Sequence, residues 1–155
     1  MTYMTHRYFA LILGIAFLAI GVLGFVPPLV THPAGHEFHD ALNMQHGYLL
    51  GLFPVNLTHN AVHLLFGVWG VLAYSKWEAA RMYARSVAII YGLLVIVGLM
   101  PSPINTVWGI VPVHGHDVWL HGAIALVSAY FGWIAHHEVR DDTRDHPTGA
   151  PPVLR

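Results

Sequence analysis

Two short segments of the 155-residue chain gather side chains that bind metal ions. His59 and His63 stand four apart in Leu57-Thr-His-Asn-Ala-Val-His63, and Asp117 and His121 stand four apart in Asp117-Val-Trp-Leu-His121. On a helix this spacing stacks two side chains on one face with Cβ atoms about 5–6 Å apart. Both members of a pair then reach one ion. Three imidazoles and one carboxylate suit Zn(II), or Fe, Cu or Mn if a water or further ligand completes the shell. The chain has no cysteine, so disulfides, zinc ribbons, iron–sulfur clusters and thiol catalysis are excluded together.

The two pairs fall at matching places in an internal repeat. Pro54-Val-Asn-Leu-Thr-His-Asn-Ala-Val-His63 aligns without a gap on Pro112-Val-His-Gly-His-Asp-Val-Trp-Leu-His121, with Pro54 on Pro112, Val55 on Val113, His59 opposite Asp117 and His63 on His121. If the two helices are neighbours, His59, His63, Asp117 and His121 converge at one depth and form the expected metal site. Binding requires neutral imidazole, so occupancy should fall as pH drops through the histidine range. A variant places a haem between His63 and His121, one ligand from each of two facing helices. Plainer roles compete. Asp117 and Asn56 both stand where a helix N-cap is wanted, and His59 can meet interfacial water. His63 and His121 lie deeper in apolar helices, where an ionisable group needs a partner.

Of the 13 histidines, His32, His36, His39, His46, His114 and His116 fall in the intervening loops. His36, His39, His46, His114 and His116 are taken as additional candidate ligands. Met44 and Met100 offer thioethers suited to Cu(I), or simple packing. His136-His137-Glu138 reads as a solvated helix end. There is no G-x-S-x-G, P-loop, dinucleotide fingerprint or H-E-x-x-H, and no catalytic residue is assigned.

The elements that position these residues follow from composition. The chain is 55% hydrophobic and 10% charged, where a soluble domain carries about 25% charged residues; its mean hydropathy is +0.55. Lipid admits only helices or closed barrels, and the apolar runs have helical lengths. We expect an all-α integral membrane protein, a four-transmembrane-helix bundle made of two repeated helical hairpins. Residues 1–138 form it, with spans at about 8–26, 57–74, 82–100 and 118–135. Residues 139–155 are expected to be a disordered cytoplasmic tail. The first run is longer than a typical signal h-region of about 7–15 residues, and Pro27-Pro28 follows it in place of a cleavage site, so it should remain an anchor.

Arg7, then Lys76, Arg81 and Arg85, then Arg140, Arg144 and Arg155 all fall on one side of such a bundle. The positive-inside tendency makes that side cytoplasmic, with both termini inside and the histidine-bearing loops facing outward. Trp108 and Trp119 then sit near the outer boundary, Trp77 and Trp133 near the inner one. Gly14, Gly21 and Gly24 on the first span, and Gly67 and Gly70 on the second, predict close helix contact. The formal net charge of −1 gives no basic excess for nucleic acid.

The run Leu13–Phe25, the segment Gly51-Leu-Phe-Pro-Val-Asn-Leu-Thr-His-Asn-Ala-Val-His-Leu-Leu-Phe-Gly67 and the Asp117-x-Trp119-Leu120-His121 pattern resemble the domain-of-unknown-function family 4383. The resemblance implies a small four-span protein of a bacterial cytoplasmic membrane, and it brings no catalytic residues. The chain departs from the family pattern between Asn105-Thr106 and Asp117, where His114 and His116 lie on an added stretch, and at Val118, where Asn is usual. Besides the metal reading, a second class is a non-catalytic accessory subunit of a larger respiratory or photosynthetic membrane complex. A homo-oligomer is the other expected association. A third, a pH sensor or proton-linked transporter, lacks a charged residue at the midplane of the spans.

Overall fold

Helices α1 (Thr2–Leu23), α2 (Leu57–Ala73), α3 (Trp77–Gly98) and α4 (His116–Ala129) dominate the computed structural model, which describes residues 2–32 and 46–135. A π-helical turn over Tyr130–Ile134 continues α4. The expected spans fall within six residues of these limits. α1 starts earlier than expected, taking in His6 and Arg7, and stops ahead of Pro27-Pro28, which cannot continue a helix. Segments Met4–Leu23, Trp77–Gly98 and His116–Ile134 are long and apolar enough to cross a membrane. α2, with 17 residues, is about 26 Å long, short of a ~30 Å hydrocarbon core.

The all-α expectation needs one correction. The segment between α1 and α2 carries three short antiparallel strands in the order β1 (Val30–Thr31), β2 (Gly47–Leu49) and β3 (Phe53–Val55), with Leu49 opposite both Val30 and Phe53. Strands of two or three residues are too short to show an alternating pattern. Pro54 is tolerated because β3 is an edge strand.

Two antiparallel pairs make up the helical body. Along α1 and α2, a Cβ on Gly14 would sit 2.8–2.9 Å from the backbone of Gly67, Gly70 and Val71. Only glycine permits that approach, as the small-residue spacing predicts. At one end of this pair Arg7 Nε donates to the Tyr74 carbonyl at 2.6 Å; at the other, Asn60 covers Gly24. α3 and α4 pack from Gly98 against Val113 and Val118 at one end to Arg85 against Gly132 at the other. The two pairs join through a core in which Phe17 stacks on Tyr91 at 5.3 Å and the Tyr83 hydroxyl donates to the Phe66 carbonyl at 3.2 Å.

The body therefore has a sheet end and an arginine end. Trp108 and Trp119, 66% and 77% exposed, lie at the sheet end, and the exposed Trp133 and half-buried Trp77 at the arginine end. His36, His39, Met44, His136, His137, Glu138 and the expected tail lie outside the described residues.

Candidate metal centre

α2 begins on a cap that also locates its first histidine. The Asn56 side-chain oxygen accepts from the His59 backbone N–H at 2.8 Å, as an N-cap does, and its Nδ2 donates to the Ile110 carbonyl at 2.9 Å. One buried side chain thus ties the start of α2 to the loop leading into α4. That loop ends at Gly115, whose φ of 67° lies in the left-handed region glycine occupies without strain. Gly115, and not Asp117, takes the N-cap position of α4. Asp117 falls in the first turn, 2% exposed, and faces His59.

Three imidazoles meet below the sheet. Ligand-type nitrogens of His59, His63 and His121 all lie within 4.8 Å of one another. His59 Nε2 and His63 Nε2 are 2.9 Å apart, with the rings stacked at 4.7 Å. Nitrogens bound to one tetrahedral ion at about 2.0–2.1 Å sit about 3.3 Å apart, so small ring rotations bring this set onto an ion. Asp117 does not join the three. Its Oδ2 lies 3.8 Å from His59 Nδ1, on the far side of that ring from His63.

Aromatic rings form the floor of the site. Phe17 meets His63 edge-on at 5.2 Å, and Tyr91 meets His121 edge-on at 4.9 Å. Neither contact was legible in the sequence, because Phe17 and Tyr91 sit in uniformly apolar runs with nothing to single them out. On the sheet side the four polar residues open into a cavity of about 130 Å³.

The polar atoms of the site are incompletely partnered. His59 Nδ1, His63 Nδ1, His121 Nδ1 and Asp117 Oδ2 are buried and make no hydrogen bond. Groups left this way in a native fold call for an ion, a water or a ligand.

The loop histidines play other parts. His46 packs edge-on against Tyr48 at 5.4 Å and is near enough to His59 to act on it electrostatically. His116 lies 6.4 Å from the Phe53 ring. Burial holds the half-buried His114 below the usual histidine pKa. None of these three belongs to the three-nitrogen group. The haem variant does not fit. His59 stands stacked against His63, and about 130 Å³ is far less than the ~300–1,000 Å³ of pockets that hold drug-sized ligands.

Among known proteins, a family model described as "Domain of unknown function (DUF4383)" matches residues 7–134. No curated protein and no solved structure matches the chain.

Proposed function

The chain belongs to the family described as domain of unknown function DUF4383, and from that premise we propose that it is a membrane protein holding one transition-metal ion on His59, His63 and His121. The observation that carries this reading is the buried group of three imidazoles whose ligand-type nitrogens lie within 4.8 Å of one another. Asp117 is assigned to the same site. Its place beside His59 Nδ1, away from His63, is where a carboxylate orients a metal-bound imidazole by accepting its other N–H. A centre of three protein nitrogens keeps a fourth position open. Fe, Cu and Zn all accept such a donor set.

The same proposal extends to the setting. All four helices span the bilayer as two repeated hairpins, with α2 completed by the sheet layer that precedes it. The arginine end faces the cytoplasm and the sheet end the outside of a bacterial cytoplasmic membrane, because Arg7, Lys76, Arg81 and Arg85 all lie at one end. Exposed apolar side chains along every helix, such as Ile12, Leu65, Ile89 and Leu126, support contact with lipid.

Elemental analysis of protein purified in mild detergent, without a histidine-rich tag, tests the reading. Near-stoichiometric metal that vanishes in His63→Ala and His121→Ala is expected. A well-folded, metal-free wild type, or unchanged metal in both variants, would defeat it.

A further inference from the structure

We infer that the open position of this centre takes a small, neutral, apolar ligand, a diatomic gas of the carbon monoxide, nitric oxide or dioxygen class. The inference rests on the metal reading and adds what the ion binds. The cavity of about 130 Å³ is lined by His59, His63, Asp117 and His121. Every other lining residue is aliphatic or aromatic, among them Ile20, Leu49, Phe53, Val55 and Leu120. An apolar cavity of about 150 Å³ takes up xenon or benzene. Among the described lining residues the polar ones here are those of the metal site.

The chamber thus selects by chemistry. An anion entering it loses its hydration and, apart from the metal ion itself, meets no Lys, Arg, Ser, Thr or Asn among the described lining residues. A diatomic gas has almost no hydration to lose and dissolves in lipid. The wall includes Leu23 and Leu50, 38% and 60% exposed, so the side by which a ligand enters is itself apolar. Size sets the upper limit: a cavity of about 150 Å³ holds a molecule the size of xenon or benzene. For carbon monoxide, the probe used below, binding is a dative bond from the ligand lone pair to the metal, with no net electron or proton transferred. Neutral diatomics of this class bind ions that donate d electrons back to them, so the ion using this chamber is Fe(II) or Cu(I).

The test uses the full chain in mild detergent, loaded anaerobically with Fe(II) or with Cu(I), its metal content measured before carbon monoxide is admitted. The readouts are the C–O stretching band in the infrared and, on metal-free protein, the xenon-129 chemical shift. Expected are a protein-dependent C–O band with one of the two ions and saturable xenon binding. Leu120→Phe, which fills the chamber, should keep its metal, lose xenon binding and bind carbon monoxide at least about tenfold more weakly. Ile20→Phe fills it from the α1 side and serves if the first variant does not fold; Val55→Ala enlarges it and should raise xenon occupancy. Metal-loaded protein with no C–O band, or a band that neither filling variant weakens, overturns the inference and leaves the metal reading standing. Protein that takes up neither ion overturns the metal reading, and the inference with it.

Discussion

The two ends of the bundle both bury polar side chains against apolar helices, and they solve that problem in opposite ways. At the arginine end each described arginine has its partners. Arg7 donates to the Tyr74 carbonyl and lies 4.8 Å over the Tyr74 ring; Arg81 and Arg85 both donate to the Gly132 carbonyl, at 3.1 and 2.8 Å, and lie over Trp77 and Trp133. The π-helical turn that contains Gly132 leaves that carbonyl available to both. At the sheet end His59, His63, His121 and Asp117 are 2–4% exposed and lack partners for four buried atoms. A polar residue in an apolar bundle is therefore not by itself a sign of function. What separates the arginines from the histidine cluster is whether the protein alone completes the hydrogen bonding.

The comparison breaks most directly by mutation at each end. His63→Ala and His121→Ala should each take bound metal from near one ion per chain to near none, while Arg85→Ala should leave it unchanged. Arg85→Ala should instead cost about 1–3 kcal/mol of stability, through the lost charge-assisted bond to Gly132 and the lost packing. Metal analysis and thermal unfolding of the three variants decide it. Equal metal loss in the arginine variant would mean that the ends are not independent.

Metal removal should come next in size. An ion held at 100 to 1,000 times its dissociation constant stabilises the fold by about 2.7–4.1 kcal/mol. Chelation of the wild type should therefore lower its unfolding midpoint, and chelation of His63→Ala should not. Equal midpoints before and after complete removal in the wild type would show that the imidazoles are satisfied without an ion.

Asp117→Asn separates the roles within the sheet end. Asparagine keeps the shape and an acceptor oxygen but loses the charge. A carboxylate acting through His59 should, when so replaced, weaken metal affinity about 10- to 100-fold while full occupancy is still reached at saturating metal. Titration with a competing chelator measures this. Loss of the site as complete as in His63→Ala would make Asp117 a ligand.

How much of this could be read beforehand depends on the kind of signal. The four helices were legible because long charge-free runs leave few alternatives, and the α1–α2 seam because Gly14, Gly67 and Gly70 recur at helical spacing. His59, His63 and His121 were legible from four-residue spacing and from the offset that aligns His63 with His121. Asp117 was placed at the site, but its position on the far side of His59 depends on ring orientation, which spacing does not encode. Haem looked possible from two facing histidines because sequence carries no measure of volume. The strands escaped notice because Gly47–Leu49 and Phe53–Val55 are set by pairing across the segment, with too few residues for a period. The bond from Asn56 to Ile110 joins residues 54 apart and could not be read from either segment alone.

The smallest effect sharpens the comparison from the rim of the sheet end, outside the helices. Burial lowers the pKa of His114 in the folded chain, while the unfolded chain titrates near the ordinary value of about 6.5. Above that value both states are neutral and the contribution of His114 is fully present. As pH falls below it the unfolded state takes up its proton first, so stability declines until the folded-state pKa is passed. The side chain is only half buried, and water shares in solvating it, so the loss should be modest. Metal-free wild type and His114→Gln, unfolded in detergent at about pH 8 and about pH 5.5, isolate the effect, because glutamine does not titrate across this window. Acidification should destabilise the wild type more than the variant. Parallel losses would remove His114 from the pH dependence of the sheet end and leave it to the imidazoles below.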